Sequence, residues 1–454
     1  MSKPTVMKFG GTSVEDPAAI TNVSRIVAER HPQRPVVIVS AMAGVTDALL
    51  ASVQQAWNGQ FEAGLAALDR HFQRHFEVVN NLLAREAGSI NPLIEHARRE
   101  IGELLKSVSL RPSLRLSLQD SIVSFGERLS AALLAASLRA NGVAAEAVDA
   151  RQCLITDDNF GCAAPLIKET YERTRARLDP LLEQPVVPVL GGFIGSTTSG
   201  ETTTLGRGGS DYTAAIIGAA IGASEIQIWT DVTGVLTADP RVARNAHSIP
   251  RLSYDEAAEL AYFGAKVLHP KTIQPAVEAQ IPVRICNSKA PSLAGTLIGA
   301  ETDTSPQTVK SIAHKSGVTT LQITSAGMLG AYGFLRELFD VFNRHRKAVD
   351  VVTTSEVSVS MTLDDVSGLE AIVSELEALG TVDVELDRAI ICVVGEGLRG
   401  TPGIAGRVFS TINDINVSLI SQGASRINLT FVIEEERVGE AVTRLHEAFF
   451  GRPD

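Results

Sequence analysis

Short apolar strands alternate with helical segments between residues 6 and 230, and this alternation limits the possible folds more than any other feature of the chain. Residues 35–40 (PVVIVS) begin with five apolar residues in a row, as in strands that are buried on both faces of a sheet. The other predicted strands span residues 6–9, 144–148, 185–190 and 225–230, and predicted helices span residues 16–29 and 210–222. Strands that alternate with helices predict an α/β domain with a largely parallel central sheet flanked by helices.

A long helical region interrupts this alternation. Residues 47–138 carry a mostly helical pattern, with breaks predicted near residues 88–92 and at Pro112. His71 and His75 lie four residues apart on one of these helices, and no acidic residue completes an H-E-x-x-H zinc pattern. We therefore interpret both histidines as part of a polar helix face.

The chain changes character after residue 290. Residues 292–307 are rich in Thr, Ser, Gly and Pro, which indicates an interdomain connection. Beyond this connection each copy of an internal repeat follows the order glycine turn, amphipathic helix, strand, turn, strand, which predicts two similar small α+β units in tandem. Four residues recur at a spacing of 70, namely Gly333, Phe339, Asn343 and Ser355 as Gly403, Phe409, Asn413 and Ser425.

Charge and cysteine content narrow the function classes. The 454 residues carry a formal net charge of −11 and no cluster of Lys and Arg, which argues against nucleic acid and anionic membranes as partners. The four cysteines form no C-x-x-C pair, so neither a zinc site nor a redox pair is indicated. No apolar run approaches the ~18 residues of a membrane span, and the N-terminus lacks the apolar core of a signal peptide. We expect a cytoplasmic protein of roughly two to four domains.

A glycine pair follows the first strand. In residues 8–13 (KFGGTS), Gly10 and Gly11 would let backbone N–H groups approach phosphate oxygens, and Lys8 would add a cation. The segment is not a G-x-x-x-x-G-K-[ST] loop, and a Gly-Gly turn after a strand is ordinarily only a turn. This segment alone is therefore weak evidence for a phosphate-binding site.

A second glycine-rich segment, residues 202–211 (TTTLGRGGSD), suits neither a helix interior nor a strand. A helix follows it directly, and we expect Ser210 or Asp211 to be the N-cap of that helix. A helix N-terminus beside Arg207 is an anion site. The alternative is a capped loop with an exposed arginine.

The predicted strand at residues 225–230 leads into a polar turn that ends at Arg241. Ligands of open α/β sheets bind where the strands end. Asp231 would accept a hydrogen bond from a ribose hydroxyl there, and Arg241 would meet phosphate. An Asp-Pro pair such as Asp239-Pro240 would otherwise be an ordinary turn.

Taken in order, these and other segments resemble the aspartate kinases of the amino-acid kinase superfamily. The matching segments are residues 8–13, 40–46, 124–127, 192–195, 202–211, 229–241 and 263–270. The C-terminal repeat resembles the paired ACT domains of the same family. The resemblance implies an amino-acid kinase catalytic domain over residues 1–300, followed by two α+β ACT domains over residues 311–385 and 386–454.

The resemblance also implies the reaction. ATP would transfer its γ-phosphoryl group to the β-carboxylate of L-aspartate, with Mg²⁺ held through the nucleotide phosphates rather than by a metal site on the protein. The β-carboxylate is already ionised at neutral pH, so this nucleophile needs no general base. Lys8 and Lys266 would stabilise charge on the transferred phosphoryl group, and Asp211 would orient Lys8.

Further residues are assigned by resemblance to the two substrates. Arg207 would hold the α-carboxylate of aspartate, and Glu127 would hold its ammonium group. The rest of the aspartate site would comprise Ser40, Thr46, Phe193, Gly208, Gly209 and Ser210. The nucleotide site would comprise Lys8, Gly10, Gly11, Thr230, Asp231, Leu236, Arg241, Lys266 and Val267. Leu236 departs from the family pattern, since many members carry Tyr at this position.

Feedback inhibition by L-lysine is implied by the resemblance of the first ACT unit to lysine-sensitive members. The residues that carry it are Met328, Phe334, Leu335, Val349, Asp350, Ser355 and Glu356. Asp350 and Glu356 would neutralise the two ammonium groups of lysine, whereas Ile420 and Arg426, 70 residues further on, suit lysine poorly. The alternatives are that both acids are solvated surface groups, or that threonine, alone or with lysine, is the effector. ACT units commonly pair side by side, so we expect a homodimer or homotetramer formed through residues beyond 310.

Two other functions stay open at this point. One is a related kinase that acts on acetylglutamate or on a nucleotide, which Glu127 argues against because an acetylated amine carries no charge. The other is a regulatory protein whose kinase domain has lost activity. The presence of Lys8, Arg207, Asp211 and Lys266 argues against that loss.

Overall fold

The computed structural model describes residues 2–264, 270–300 and 308–451. These residues form two compact units. The first unit comprises the described parts of Met1–Val235, Pro250–Tyr254 and Val267–Glu301. The second comprises the described parts of Leu236–Ile249, Asp255–Lys266 and Thr302–Asp454.

The first unit alternates strands and helices, as its sequence pattern predicts. Its strands are β1 (Thr5–Phe9), β2 (Pro35–Val39), β3 (Ala145–Val148), β4 (Ile155–Thr156), β5 (Val187–Gly191), β6 (Ile194–Thr197), β7 (Thr202–Thr204), β8 (Glu225–Thr230), β9 (Arg251–Ser253), β10 (Val283–Asn287) and β11 (Thr296–Gly299). Its helices are α1 (Pro17–Glu29), α2 (Val45–Trp57), α3 (Phe61–Leu82), α4 (Ala87–Leu110), α5 (Arg115–Ala140), α6 (Ile167–Leu182), α7 (Gly209–Ile221) and α9 (Pro270–Glu278). Helix α8 (Tyr254–Tyr262) precedes α9 in the chain, and all of it except its first residue belongs to the second unit.

An eight-stranded sheet forms the centre of the described part of the first unit, in the order β3-β5-β2-β1-β8-β10-β11-β9. All neighbours pair in parallel except β10 and β11, which confirms the predicted, largely parallel sheet. Every residue of β2 is buried, as its apolar run predicts. Because β5, β2, β1 and β8 are adjacent and parallel, the segments that follow them meet at one edge of the sheet.

Helices α2 to α5 form the predicted helical region. The chain breaks at residues 83–86, before the predicted 88–92, and Pro92 lies inside α4. Helix α5 is long and apolar enough to span a membrane, but 83% of its most apolar window is buried within the protein, as in a core helix. The polar-face interpretation of His71 and His75 is wrong, because both side chains are buried on the inner side of α3.

The second unit contains a six-stranded antiparallel sheet within its described residues, in the order β13-β14-β12-β15-β17-β16. Its strands are β12 (Ser311–Thr324), β13 (Val352–Thr354), β14 (Ser358–Leu363), β15 (Thr381–Val394), β16 (Leu419–Gln422) and β17 (Asn428–Glu434), and its helices after α8 are α10 (Phe334–Arg344), α11 (Leu369–Leu376), α12 (Ile404–Thr411) and α13 (Val438–Phe450). Gly333 and Gly403 precede α10 and α12 with φ angles of 89° and 84°, and two strands follow each helix, as the repeat predicts.

The two copies of the repeat share their longest strands. Residues 319–324 of β12 pair with β14, and residues 320–324 also pair with residues 381–385 of β15, whereas residues 311–315 pair with residues 390–394 of β15. Residues 388–394 of β15 also pair with β17. The predicted limit between residues 385 and 386 follows the sequence repeat and falls inside β15, so the domain limits stay a prediction.

Candidate active site

An open cleft of about 550 Å³ lies in the first unit, where β1, β2 and β5 end and α7 begins. It gathers residues from segments that are far apart in sequence. Its lining includes Lys8, Ser40, Thr46, Asp47, Asp120, Glu127, Phe193, Arg207, Gly208, Gly209, Ser210 and Asp211. Every residue assigned to aspartate by the sequence is among these, so parallel topology brings the predicted substrate site together.

Lys8 and Asp211 form an ion pair at the end of β1. The Nζ of Lys8 lies 2.7 Å from Oδ1 of Asp211, and the two side chains are only 12% and 19% exposed. Asp211 lies in the first turn of α7, where the helix dipole favours a negative charge. This pair therefore fixes an ammonium group at the mouth of the cleft with little freedom to move.

The glycine loop ends differently from the sequence prediction. Gly208, with a φ of 75°, is the N-cap of α7, and no side chain caps this helix. The predicted capping by Ser210 or Asp211 is wrong, because a glycine in the left-handed region, two residues before Ser210, is the N-cap, and both predicted caps lie inside the helix. Ser210 is thereby left free to accept a hydrogen bond of 3.1 Å from the Oγ of Ser40.

Arg207 projects from this loop into the cleft. Its side chain is exposed, and within the described part of the chain no hydrogen bond or ion pair of its guanidinium is found. A guanidinium presents a planar fork of donors that matches a carboxylate. Arg207 is therefore available to an anionic ligand.

Two glycines at the end of β5 let the site close tightly. A Cβ on Gly192 would lie 2.8 Å from the Cα of Ser210, and a Cβ on Gly191 would lie 2.8 Å from the Cβ of Glu127. Such distances are shorter than real contacts allow, so these positions require glycine. Their absence of side chains lets α5 and α7 approach β5 from both sides.

Glu127 is a buried acid with one free oxygen. Its Oε1 accepts a hydrogen bond of 3.2 Å from the backbone N–H of Ala41, and Oε2 has no partner among the described residues. Burial raises the pKa of Glu127 to about 8, because the ionised form loses its hydration. At neutral pH the carboxyl is therefore largely protonated until a cation lies beside it.

Asp120, which sequence reasoning missed, also lines the cleft. It lies two turns before Glu127 on α5 and is buried. Its carboxylate accepts hydrogen bonds from the N–H groups of Gly161 and Thr204 and from the Thr204 hydroxyl. Two acids seven residues apart on an otherwise apolar helix were the available signal, because buried carboxylates need partners.

Arg74 was missed as well. From α3 its guanidinium donates to the carbonyl oxygens of Ala43 and Glu15, each at 2.8 Å. These carbonyls belong to the loops that follow β2 and β1. Arg74 thus ties the segment that follows the predicted phosphate loop to the loop that carries Ser40 and leads into α2.

The phosphate loop differs in one detail from the prediction. The N–H of Gly10 donates to the carbonyl of Trp229 at 3.3 Å, so the expectation that it faces phosphate is wrong. A Cβ on Gly11 would lie 2.7 Å from the carbonyl oxygen of Ala41. Gly11 is therefore needed for the close approach of the two loops.

The residues assigned to the nucleotide are spread more widely. Thr230 ends β8, and its hydroxyl donates to Asp231 at 3.2 Å, so both lie at the carboxyl edge of the sheet. Leu236 and Arg241 belong to the second unit, where the 84% exposed side chain of Arg241 pairs with Asp239 at 2.6 Å. Lys266 and Val267 lie outside the described residues.

The residues assigned to the effector lie in and around α10 and β13. Asp350 has a side chain that is only 3% exposed and accepts from Lys315 Nζ at 2.9 Å and from the hydroxyl of Tyr262. The solvated-acid alternative therefore does not describe Asp350, whereas Glu356 is exposed. Of the other assigned residues, Leu335 and Ser355 are exposed, and Met328, Phe334 and Val349 are half-buried.

Comparisons with known proteins agree with this architecture. A model of the amino acid kinase family matches residues 3–287, and a model of the ACT domain matches residues 391–449. The chain is 39% identical to lysine-sensitive aspartokinase 3 of Escherichia coli K12, over 99% of this chain and 100% of that protein. It is 40% identical to chloroplastic aspartokinase 1 of Arabidopsis thaliana, over 99% of this chain and 80% of that protein.

A solved structure is similar over the same length. The crystal structure of E. coli aspartokinase III in complex with aspartate and ADP has a TM-score of 0.83 and 38% identity, and the match covers 99% of this chain and 100% of that one. A second structure of that enzyme, with a TM-score of 0.83, contains lysine and aspartate. The chain therefore belongs to the amino acid kinase family, and within it to the aspartokinases with a C-terminal ACT domain.

Proposed function

We propose that the cleft of this aspartokinase binds L-aspartate between Glu127 and Arg207 and phosphorylates its β-carboxylate with ATP, giving 4-phospho-L-aspartate. The observation that carries the proposal is that one cleft contains a buried carboxyl and a guanidinium, and that neither Oε2 of Glu127 nor the guanidinium of Arg207 has a partner among the residues that the structure describes. An α-amino acid presents the matching ammonium and carboxylate groups. The aspartate in the E. coli structure supports this choice of amino acid.

The chemical step needs charge stabilisation more than acid–base catalysis. An oxygen of the ionised β-carboxylate forms a bond to the γ-phosphorus, the bond from that phosphorus to the β,γ-bridging oxygen breaks, and ADP leaves. The obstacle is repulsion between two anions. Lys8 supplies a cation that Asp211 holds in place at 2.7 Å, so little reorganisation is required as charge develops on the phosphoryl oxygens.

The nucleotide is proposed to bind at the carboxyl edge of the sheet, beside Gly11, Thr230 and Asp231. The ADP of the E. coli structure supports ATP as phosphoryl donor. Mg²⁺ would neutralise the phosphates and would be held mainly by them and by water. The contacts assigned to Leu236, Arg241, Lys266 and Val267 rest on the sequence alone.

An ADP-release assay tests the reaction. The wild-type enzyme should release ADP with L-aspartate and not with acetylglutamate or UMP, and Lys8→Ala should lower kcat by on the order of 10²-fold or more. Lys3→Ala, at an exposed lysine near the start of β1, is the matched control and should retain full activity. ADP release only with another acceptor, or with none, would refute the proposed substrate, and near-normal turnover of Lys8→Ala would refute the role of Lys8.

We further propose that L-lysine inhibits the enzyme by binding at the first ACT copy, with threonine as the alternative effector. The proposal is supported by the charges around Asp350: Lys315 pairs with two carboxylates, those of Asp350 at 2.9 Å and Asp364 at 2.8 Å, so this cluster keeps a net negative charge that favours a further ammonium group. The lysine in the second E. coli structure supports this effector. Separate titrations of activity with lysine, threonine and methionine should show inhibition by lysine at millimolar concentration or below.

Variants locate the effector site. Asp350→Ala should raise the half-inhibitory lysine concentration about tenfold or more, since an ammonium contact to a buried carboxylate is lost. Asp340→Ala removes an exposed acid on α10 and serves as the control. Equal inhibition of wild type and Asp350→Ala would exclude this site.

We also propose that the enzyme self-associates through its second unit, as a homodimer or homotetramer. A set of apolar side chains is exposed there, and we call it the outer apolar face of α10. It comprises Leu335 and Phe339 on α10 and Leu329 and Tyr332 in the segment before it, and Tyr332 is fully exposed. Large apolar side chains exposed within one short segment favour a protein–protein contact.

A further inference from the structure

Asp120 makes hydrogen bonds that all lead to the loops of the aspartate site. Its Oδ2 accepts from the N–H of Gly161 at 2.8 Å and from the N–H of Thr204 at 2.9 Å, and its Oδ1 accepts from the Thr204 hydroxyl at 2.8 Å. The side chain is buried, with 1% exposure. The resemblance-based assignment of residues gave Asp120 no role.

The fixed end of the glycine loop lies at Thr204. The carbonyl of Thr204 accepts from the N–H of Ala163 at 2.9 Å, and the next residue, Leu205, donates its N–H to the carbonyl of Phe193 at 2.9 Å. Thr204 is therefore held by hydrogen bonds from its N–H, its hydroxyl and its carbonyl. After Thr204 and Leu205, Arg207 lies between two glycines, Gly206 and Gly208.

Glycine flanks make the position of Arg207 depend on that anchor. Gly206 and Gly208 have φ angles of 74° and 75°, in the region that glycine enters most readily. Two such residues add freedom to the backbone, so the direction of the Arg207 guanidinium is only as well defined as the ends of the loop. One end is the helix α7, and the other is the peptide held by Asp120.

We propose that Asp120 is a positioning residue for aspartate recognition: by holding Thr204, it fixes the glycine loop so that Arg207 meets the α-carboxylate. This inference rests on the proposed function of the cleft. Asp120 and Glu127 lie on the same helix, α5, and serve opposite ends of the substrate. Glu127 receives the ammonium group directly, and Asp120 acts on the opposite end of the same substrate through Arg207.

The chemistry favours a carboxylate at this position. Three donors point at Asp120, and an ionised carboxylate offers acceptors only. In Asp120→Asn the amide oxygen can still accept from both N–H groups and the NH₂ group can donate to the Thr204 hydroxyl, but the hydrogen bonds lose their charged acceptor, which weakens them, and the hydroxyl has to turn from donor to acceptor. The loop would then relax without a change in side-chain volume.

Steady-state kinetics test the proposal. Asp120→Asn should raise the KM for aspartate about tenfold or more, while the KM for ATP stays within about twofold and kcat within about threefold. Thr204→Val removes only the hydroxyl donor and should give a smaller rise in the same constant. Equal rises in both KM values, or a loss of kcat alone, would overturn the proposal.

A double-mutant cycle separates positioning from a merely structural role. If Asp120 acts through Arg207, then adding Asp120→Asn to Arg207→Ala should leave the already raised KM for aspartate unchanged within about twofold. Additive effects of the two changes would contradict the proposal. The matched control is Glu225→Gln, which neutralises a half-buried carboxylate paired with Arg284 at the start of β8, away from the cleft, and should leave the KM for aspartate unchanged.

Two further readouts keep the test decisive. Backbone amide exchange of residues 204–208 should accelerate in Asp120→Asn and not in Glu225→Gln. If Asp120→Asn does not fold, Thr204→Val decides alone, and unchanged constants in that variant count against the proposal. Wild-type activity with aspartate is measured first, because its absence would refute the proposed function itself and would be seen before any variant is compared.

Discussion

At the scale of single residues, the proposed function gives the buried carboxyl of Glu127 the task of recognising the ammonium group of an amino acid. Below its raised pKa Glu127 is charged only when a cation compensates for its lost hydration, so substrate and acid would stabilise each other's charged form. Aspartate brings its ammonium group at all physiological pH values. Binding at pH 7 therefore has to remove a proton from Glu127.

This coupling gives the aspartate site a predictable pH dependence. The pKa of Glu127 in the free enzyme is raised to about 8, and only the ionised form binds the ammonium group. Below pH 8 kcat/KM for aspartate should thus fall about tenfold per pH unit, and above pH 8 it should level off. Rates measured between pH 6 and pH 9 check this, and a flat profile between pH 6 and 8 would contradict it. Glu127→Gln should lower kcat/KM throughout and abolish the slope.

The unpaired guanidinium of Arg207 gives a second prediction at this scale. Arg207→Lys keeps the charge and loses the planar fork, so the KM for aspartate should rise about tenfold while the KM for ATP stays within about twofold. Arg173→Lys, at an exposed position on α6, is the matched control. Equal rises in the two constants would show that Arg207 does not read the substrate.

Sequence motifs predicted which residues meet in the cleft but not how they are held there. The residues assigned to aspartate line one cavity because the loops after the parallel strands β1, β2 and β5 meet there with the start of α7, and Glu127 reaches the cavity from α5. Arg74 escaped notice because a lone base on a helix has no local signal, and Asp120 escaped notice because its only local signal was its spacing of seven residues from Glu127. The partners of both residues lie 31 to 84 residues away. The N-cap at Gly208 was missed because Ser and Asp are more common N-cap residues than Gly, whereas in the structure Ser210 and Asp211 lie inside α7.

At the scale of elements, α3 differs most from its sequence pattern. The helix buries two histidines, and Nδ1 of His75 lies 2.7 Å from the carbonyl oxygen of His71. Both pKa values are lowered, chiefly by burial, that of His75 to about 4. Helical periodicity alone cannot tell a buried neutral imidazole from an exposed charged one, since that depends on which helices cover α3.

His75 should therefore make the first unit sensitive to acid. Its folded pKa of about 4 lies below the ordinary value of 6.5, so the unfolded state binds more protons and stability falls as the pH drops from 6.5 toward 4. Between pH 7 and pH 5 the loss should be about 2 kcal/mol in wild type, and this part of the loss should vanish in His75→Gln.

Tryptophan fluorescence during urea unfolding measures this loss for the first unit. The chain has two tryptophans, and Trp57 and Trp229 both belong to that unit. His31→Gln is the control, because His31 is half-exposed near the surface of the same unit. An equal loss of stability in wild type and His75→Gln would contradict the assignment.

At the scale of the whole molecule, the sequence repeat predicts the order of elements in the second unit but not its strand pairing. The spacing of 70 residues places a glycine, a helix and two strands in each copy. It gives no indication that β12 and β15 each extend through both copies, because pairing between strands far apart in sequence depends on the folded sheet. Local sequence patterns likewise could not predict the strand order of the first sheet, in which β8 lies beside β1.

Self-association through the outer apolar face of α10 is the prediction at this scale. Light scattering at micromolar concentration should give the mass of a dimer or tetramer of the 48.3 kDa chain. Replacing Leu335 and Phe339 by Glu should shift the equilibrium toward the monomer, because burial of charge opposes association. Glu337→Lys changes an exposed charge on the same helix and is the control. A monomeric wild type would exclude the proposal.

The shared strands also determine how the regulatory region can be divided or exchanged. A fragment that starts at residue 386 would lack residues 311–315, and its strand at residues 388–394 would present an open edge with unsatisfied N–H and C=O groups. A fragment that ends at residue 385 would carry residues 311–315 without their partner strand. Anyone who builds chimeric enzymes with altered feedback should therefore transplant residues 311–449 as one module, since neither copy is a separable part.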